Sequence, residues 1–574
     1  MARLRQLCSQ ICLGLLILGV NGQSPTVTLD NLGTLIGKEM TTIKGRIIHG
    51  FQGIPYGETT AGANRFQPPI PKQWSGTLDA TNPGAMCIQP DLGVLRHQPG
   101  APITFEGGRI ATIGSEDCLV LHVYTPDLLH NKNLPVLVYY HGGGFLNGDE
   151  RDFRPDHLLD QEVILVVPHY RLGPLGYLSM QNDLIPGNAG LLDSVEVLRW
   201  IQLHISKFGG DPNRVTVSGQ STGSTLSHYM MITPLTDGIV HGAIMMSGST
   251  LTSLAYDRTP LKSARDIASF ANCPVGTDDE VTQCLLNLSP EVLVDAHVNY
   301  YSAGGIGGTQ PVISRPDEPA ETKVLPDDPK VIVQSSNYKA VPMLAGATRH
   351  DSMFYVNTLD VVLTALNLTE NELFIRKLLA REVIEFAGIV DTTGSISDMT
   401  DSKYLSYVTT EQRGNYTALI PGLLDILSTE FMKAPAYRIV QINSRRADSY
   451  LYTFSYRGRY HIPGNGINYP PTLFEDGVPH SDDMIYLTPR ISDPFNAEEL
   501  GMVNVLTTLW SNFVTTGNPN LPVQLGLPQW PKYDLAQESY YEINTASIAK
   551  QDYTEEFLVA IYDNLPYSKA AGRQ

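Results

Sequence analysis

Val215-Thr216-Val217-Ser218-Gly219-Gln220-Ser221-Thr222-Gly223 is a β-branched run that stops on a Gly-x-Ser-x-Gly pentapeptide, with a helix-like segment directly behind it. A serine between a strand and a helix is forced into a sharp turn. Glycines stand at its second neighbours because side chains would clash where the two backbones approach. The hydroxyl is then held at the carboxyl edge of a sheet, with a helix N-terminus behind it. The chain has 50 glycines, so the pentapeptide alone arises readily by chance and its partners must decide the reading.

Moving outward, Leu134-Pro135-Val136-Leu137-Val138-Tyr139-Tyr140 and Val163-Ile164-Leu165-Val166-Val167 read as buried strands upstream of the elbow. Gly242-Ala243-Ile244-Met245-Met246 and Val341-Pro342-Met343-Leu344-Ala345 read as two more beyond it. Short continuous apolar runs suit strands covered by helices on both faces. Leu191, Leu192, Val195, Leu198, Ile201 and Ile205 mark a helix between the second and third strands, ended by Phe208-Gly209-Gly210-Asp211-Pro212. The alternation predicts an α/β fold with a mostly parallel sheet and right-handed crossovers. Residues near 252–335 and 360–440 break the rhythm and read as helical or loop insertions over the site.

A serine hydroxyl needs a base to take its proton, histidine suits that role, and a carboxylate commonly orients the ring. In a strand–elbow–helix protein the expected order is serine, acid, histidine. His480, in Gly477-Val478-Pro479-His480-Ser481-Asp482-Asp483, and Asp351, in the polar turn Thr348-Arg349-His350-Asp351-Ser352, satisfy that order. His350 is a rival that precedes the acid. Upstream, His141-Gly142-Gly143-Gly144-Phe145 follows the first buried strand. Consecutive glycines let backbone N–H groups reach a substrate oxygen, as an oxyanion hole requires, and Thr222 would add another N–H.

The chain has 574 residues, is 42% hydrophobic and 17% charged, and carries a net charge of −19. That balance fits a sizeable globular core and disfavours nucleic acid or anionic membranes as partners. Residues 1–22 read as a signal peptide: Arg3 and Arg5, an apolar core around Ile11 to Leu18, and a cleavage site after Gly22. The remainder, 23–574, reads as a single domain. No later run has the length of a transmembrane helix, and the polar tail from Ser568 is unlike a lipid-anchor signal. A soluble, secreted protein is expected. Beyond the leader four cysteines remain, Cys87, Cys118, Cys273 and Cys284. They allow three pairings, of which the local one is simplest. They lack the spacing of a metal site. Asn287, Asn367 and Asn415 are glycosylation candidates.

Further signatures carry a family resemblance: Arg65-Phe66-Gln67-Pro68-Pro69, Ser115-Glu116-Asp117-Cys118-Leu119-Val120-Leu121, Pro186-Gly187-Asn188-Ala189-Gly190-Leu191-Leu192-Asp193, Phe208-Gly209-Gly210-Asp211-Pro212 and Gly517-Asn518-Pro519-Asn520. Found in order over nearly the whole chain, they resemble type-B carboxylesterases. The resemblance implies the α/β-hydrolase fold, Ser221 as nucleophile, His480 as base, Asp351 as acid, and Gly143, Gly144 and Thr222 as oxyanion donors. It implies the disulfides Cys87–Cys118 and Cys273–Cys284, and no cofactor. Three positions depart from the family pattern. Asp351 stands where Glu is usual, Thr222 where Ala is usual, and Gln220 where Glu is common. Juvenile-hormone-esterase-like members also carry that Gln.

Cholinesterase-like members bind a quaternary ammonium on a tryptophan in the first disulfide loop, but residues 88–117 contain none. With Gln220 neutral, the expected substrate is an uncharged carboxylic ester. Juvenile hormone, xenobiotic and lipid esters stay open. The competing class is an adhesion or binding member of the fold, which usually lacks the serine or the histidine.

Overall fold

The computed structural model describes residues 24–92, 105–106, 109–129, 132–274, 276–305, 307–462, 474, 476–490, 494–563 and 565. The expected leader, 1–22, and the tail from Ser568 lie outside the described residues. An 11-stranded sheet organises the rest: β1 (Lys38–Thr41), β2 (Ile47–Pro55), β3 (Val120–Thr125), β4 (Leu134–Tyr140), β5 (Ile164–Pro168), β6 (Gly210–Gln220), β7 (Gly242–Met246), β8 (Met343–Thr348), β9 (Ser449–Phe454), β10 (Tyr540–Ile543) and β11 (Ile548–Lys550). Their spatial order is β11-β10-β9-β8-β7-β6-β4-β5-β3-β2-β1. From β5 through β4 and β6 to β10 every neighbouring pair is parallel, whereas β11, β3, β2 and β1 pair antiparallel at the two flanks.

The period of two along each strand divides the core between the sheet's faces. Val136, Val138 and Tyr140 of β4, Val215 and Val217 of β6, and Ala243 and Met245 of β7 face one layer. That layer contains α1 (Ala189–His204) and α2 (Thr222–Ile232), and further along the chain the helices Tyr416–Ser428 and Ala434–Asn443. Leu137, Tyr139, Ile244, Met246, Tyr450 and Tyr452 face the other, where they meet Met502, Leu506, Trp510 and Phe513 of a long late helix.

The insertions are helical, as their broken rhythm suggested. The first holds α3 (Pro260–Phe270), α4 (Asp278–Asn287) and α5 (Pro290–Ser302). Ile267, Leu285 and Leu293 of these helices pack with Leu178 and Ile185 in a core of their own. The second holds α6 (Met353–Ala365) and α7 (Tyr416–Ser428), followed by α8 (Ala434–Asn443), and the late helix is α9 (Ala497–Thr516). A capping box between Asn496 and Glu499 starts α9, and Gly517 at φ 72° ends it.

Cys87 is bonded to Cys118, closing the loop before β3, and Cys273 is bonded to Cys284, tying the chain after α3 to α4. This is the local pairing. Asn287, Asn367 and Asn415 are all exposed. No helix among the described residues is long and apolar enough to cross a membrane.

Candidate active site at the serine elbow

β6 ends at Gln220 and α2 begins at Thr222, so Ser221 alone makes the turn, at φ 60° and ψ −128°. Its backbone is held on both sides: the N–H donates to Met246 O at 2.9 Å, and the carbonyl accepts from Thr225 N at 3.1 Å. The flanking glycines are required by contact. A Cβ on Gly219 would lie 2.3 Å from the Gly223 carbonyl, and one on Gly223 would lie 2.1 Å from Tyr140 O. The strand-to-helix geometry anticipated for the pentapeptide is therefore present.

Asp351 leaves the turn after β8, and His480 lies in the loop that precedes the short helix Met484–Leu487. The two are 129 residues apart, yet His480 Nδ1 is 2.5 Å from Asp351 Oδ1, and the His480 backbone N–H donates to Asp351 O at 3.1 Å. The other carboxylate oxygen, Oδ2, accepts from Ser247 Oγ at 2.6 Å and from Thr348 N and Oγ1 at 2.9 and 3.0 Å. Burial alone would push the Asp351 carboxyl up. The His480 charge and these hydrogen bonds outweigh it and hold the carboxyl below the ordinary value. Phe354 of α6 flanks the imidazole at 5.0 Å between ring centroids.

His350 is placed elsewhere. Its Nε2 faces Asp563 at 3.1 Å, and its Nδ1 accepts the Val478 N–H at 3.1 Å. Burial first, partly opposed by Asp563, pushes its pKa down to about 4.

The glycine run after β4 adopts left-handed backbone at Gly143 (φ 100°) and Gly144 (φ 69°), and both residues line the same cavity as Ser221 and Thr222. Gly142 is packed against the elbow, because a Cβ there would sit 2.7 Å from Gln220 O. His141 is buried and stacked on Tyr170 at 4.4 Å, and Tyr170 donates its hydroxyl to His141 O at 2.7 Å. The Thr222 side chain turns toward the glycine loop, its Oγ1 accepting the Phe145 N–H at 3.2 Å. The cavity over Ser221 measures about 410 Å³, with Leu92, Ile110, Leu146, Leu254, Val298 and Met432 among its apolar walls. A larger cavity of about 890 Å³ adjoins it at Leu254 and Gln310 and is lined in part by Asp257, Arg258, Lys262 and Asp266.

Two contacts at this site were missed by sequence reasoning. Ser247, one residue past β7, holds the Asp351 carboxylate. A signal existed for it, since a polar residue at the carboxyl end of the strand beside the elbow is well placed for such a role. The other is Gln220, whose neutrality and family pattern give no sign of a contact, yet its side-chain nitrogen lies 2.8 Å from His480 Nε2.

Elsewhere, His122, Glu150 and His169 bring ligand-type atoms within 4.8 Å of one another. His122 Nδ1, however, accepts the Gly53 N–H at 3.2 Å, which puts the ring proton on Nε2 and leaves that atom no lone pair for a cation. His169 Nε2 is already 2.8 Å from Glu150 Oε2. The trio fits an internal polar cluster better than a metal centre.

The elbow and the glycine loop share one cavity, and His480, paired with Asp351, reaches the elbow through its 2.8 Å contact with Gln220. The family model described as the carboxylesterase family matches residues 23–560. The chain belongs to the carboxylesterase family. It is a carboxylic ester hydrolase, with small-molecule esters as its substrates. Carboxylesterase 1F of Mus musculus is 29% identical over 93% of each chain, and juvenile hormone esterase of Heliothis virescens is 28% identical over 84% of each. Glutactin of Drosophila melanogaster is 30% identical over 87% of this chain, which spans 48% of glutactin's length. The solved structure of juvenile hormone esterase from Manduca sexta, with OTFP covalently attached, superposes with a TM-score of 0.76 at 25% identity. The match covers 94% of this chain and 99% of that one. The fold of this carboxylesterase-family chain is the α/β-hydrolase fold that the family resemblance implied.

Proposed function

We propose that this protein is a secreted serine esterase acting on an uncharged carboxylic ester, with Ser221 as nucleophile, His480 as general base and Asp351 as the orienting acid. The observation that carries the reading is the 2.5 Å Asp351–His480 contact beside the strained Ser221 elbow. In the first half-reaction Ser221 Oγ attacks the ester carbonyl while its proton passes to His480 Nε2. The N–H groups of Gly143, Gly144 and Thr222 hold the developing oxyanion. His480 then protonates the departing alcohol, leaving an acyl-enzyme that water cleaves by the same route. Largely apolar walls and a neutral Gln220 favour an uncharged acyl or alcohol group. Removal of the leader 1–22, a single domain over 23–574, and glycans on Asn287, Asn367 and Asn415 complete the proposal.

A juvenile-hormone-esterase-like activity is the second reading, favoured by the 0.76 TM-score to such an enzyme. An adhesion role is disfavoured because Ser221, Asp351 and His480 are all retained.

Treatment with a radiolabelled organophosphate should place one label on Ser221, detected by peptide mapping. A folded protein that takes no label, or takes it elsewhere, overturns the nucleophile assignment. The Thr222–Phe145 contact also has a measurable consequence. Thr222→Val keeps the shape but leaves the Phe145 N–H without its acceptor, which costs about 1–3 kcal/mol when buried. The loop that carries the Gly143 and Gly144 N–H groups is then loosened, and a fall of at least about tenfold in kcat/KM toward p-nitrophenyl acetate is expected, since one oxyanion donor is worth about 10²–10³ in kcat. Thr222→Ser should retain most of the activity.

A further inference from the structure

Gln220 is the last residue of β6 and is buried, 5% exposed. Its side-chain nitrogen is 2.8 Å from His480 Nε2. The Asp351 contact fixes the proton of the neutral imidazole on Nδ1, so Nε2 presents a lone pair. The Gln220 amide is therefore the donor and the base's lone pair the acceptor. That lone pair is the one that must receive the Ser221 proton. Among the described residues Ser221 Oγ makes no hydrogen bond, so in the free protein the amide holds the position that the nucleophile needs.

We propose that Gln220 is a positioning residue for the base: its amide fixes the imidazole from the Nε2 side while Asp351 fixes Nδ1, and it yields to the Ser221 hydroxyl during reaction. The proposal rests on the triad reading above. A hydrogen bond donated to the neutral form of a group favours that form, so the Gln220 amide supports the imidazole in the form whose Nε2 lone pair can take a proton. A neutral amide also suits the next step. When the Ser221 Oγ–H bond breaks and Oγ bonds to the carbonyl carbon, the proton sits on Nε2. It must then leave for the alcohol oxygen as the C–O bond breaks. A turned amide accepts weakly from that Nε2–H, whereas a carboxylate would bind it as an ion pair.

Other charged and titratable groups surround this centre. Asp483, on the same loop as His480, feels both the His480 charge and Asp351, and its carboxyl is 3.1 Å from the Tyr452 hydroxyl of β9. Lys433 and Tyr553, on other elements, feel the Asp351 charge, and Asp482 is paired with His461. Burial and the Asp351 charge push Asp483 up to about 7, close to the range in which histidine titrates. All these groups are common to every variant at position 220, so a difference between variants reports on that position.

The experiment is the pH dependence of kcat/KM toward p-nitrophenyl acetate, and of the organophosphate labelling rate, for the full chain, Gln220→Met and Gln220→Glu. Met keeps the length and removes the donor, and Glu replaces the donor with a charge. The apparent pKa of the acid limb should rise from the natural protein to Met and again to Glu. Glu should stand at least about one pH unit above Gln, by analogy with opposite charges a few ångströms apart. At a pH below both acid limbs, Gln220→Glu normalised to its own plateau is then roughly tenfold slower than the natural protein normalised to its own. An acid limb that is the same in all three overturns the proposal, as does one that falls in Gln220→Glu. Should Gln220→Glu fail to fold, an unmoved acid limb in Gln220→Met overturns it alone. Full activity in Ser221→Ala would instead mean that the triad reading has failed.

Discussion

Ser221→Ala should abolish ester turnover while leaving the fold intact. Alanine removes the oxygen proposed as nucleophile but keeps a Cβ, and that oxygen takes no part in holding the elbow. The backbone bonds to Met246 O and from Thr225 N hold φ and ψ whichever side chain is present. In enzymes of this chemistry, losing the serine or the histidine alone costs about 10⁶ in kcat, nearly as much as losing the whole triad. The same loss is expected for His480→Ala, and the double variant should be little worse than either single one. The measurement is p-nitrophenyl acetate hydrolysis by purified protein, with circular dichroism to confirm folding. A residual rate of ~10³–10⁴ above water would reflect the oxyanion donors and binding alone. Activity within tenfold of the natural protein would remove Ser221 from the mechanism.

The parts of this site that were legible in the sequence are those carried by local backbone chemistry. The glycines of the elbow and of residues 142–144 advertise close approach, and the structure places Gly219, Gly223 and Gly142 within clash distance of neighbouring backbone. The buried strands Leu134–Tyr140 and Gly242–Met246 match the expected bounds, because runs apolar on every position have no other stable place than the sheet centre. The flanking strands were not named, and the reasons are physical. Ile47–Pro55 is interrupted by Gly50 and Gly53, and its pairing with β3 slips between Leu121 and Val123, so neither strand shows a clean period. Tyr540–Ile543 and Ile548–Lys550 are too short to carry a pattern. The site's long-range contacts were legible only as an order along the chain. Nothing local in Asp351 or His480 encodes their meeting, which depends on β8 and the loop after β9 converging at the same sheet edge. The amide of Gln220 is subtler still. Its reach to Nε2 follows from the direction in which the last residue of β6 points.

The acid is the member whose replacement separates orientation from mere charge. Asp351→Asn keeps the shape but lets its amide donate toward Nδ1, so His480 takes the wrong tautomer. The corresponding change in a serine protease costs about 10⁴ in kcat, and a loss of that order is expected here at pH 7. Asp351→Glu, which restores the family's usual residue, should not be neutral. The carboxylate is fully buried and already bound at three donors on one oxygen and at His480 on the other. An extra methylene must be accommodated by moving Ser247, Thr348 or the imidazole, at about 1–3 kcal/mol for overpacking. Where the imidazole is the group displaced, a shift of about 1 Å costs on the order of 10²-fold in kcat/KM. The same contacts set the sign of a stability effect. Because the folded-state pKa of Asp351 lies below the ordinary value, its contribution is present above the unfolded value of about 4. It is lost only as pH falls through the lower folded value. Urea midpoints at pH 7 and pH 3 should therefore differ less for Asp351→Asn than for the natural protein. If Asp351→Ala leaves hydrolysis whole, another carboxylate must orient the ring. Asp483 is then the candidate to remove next, since it is buried in the same loop as His480 and within reach of its charge.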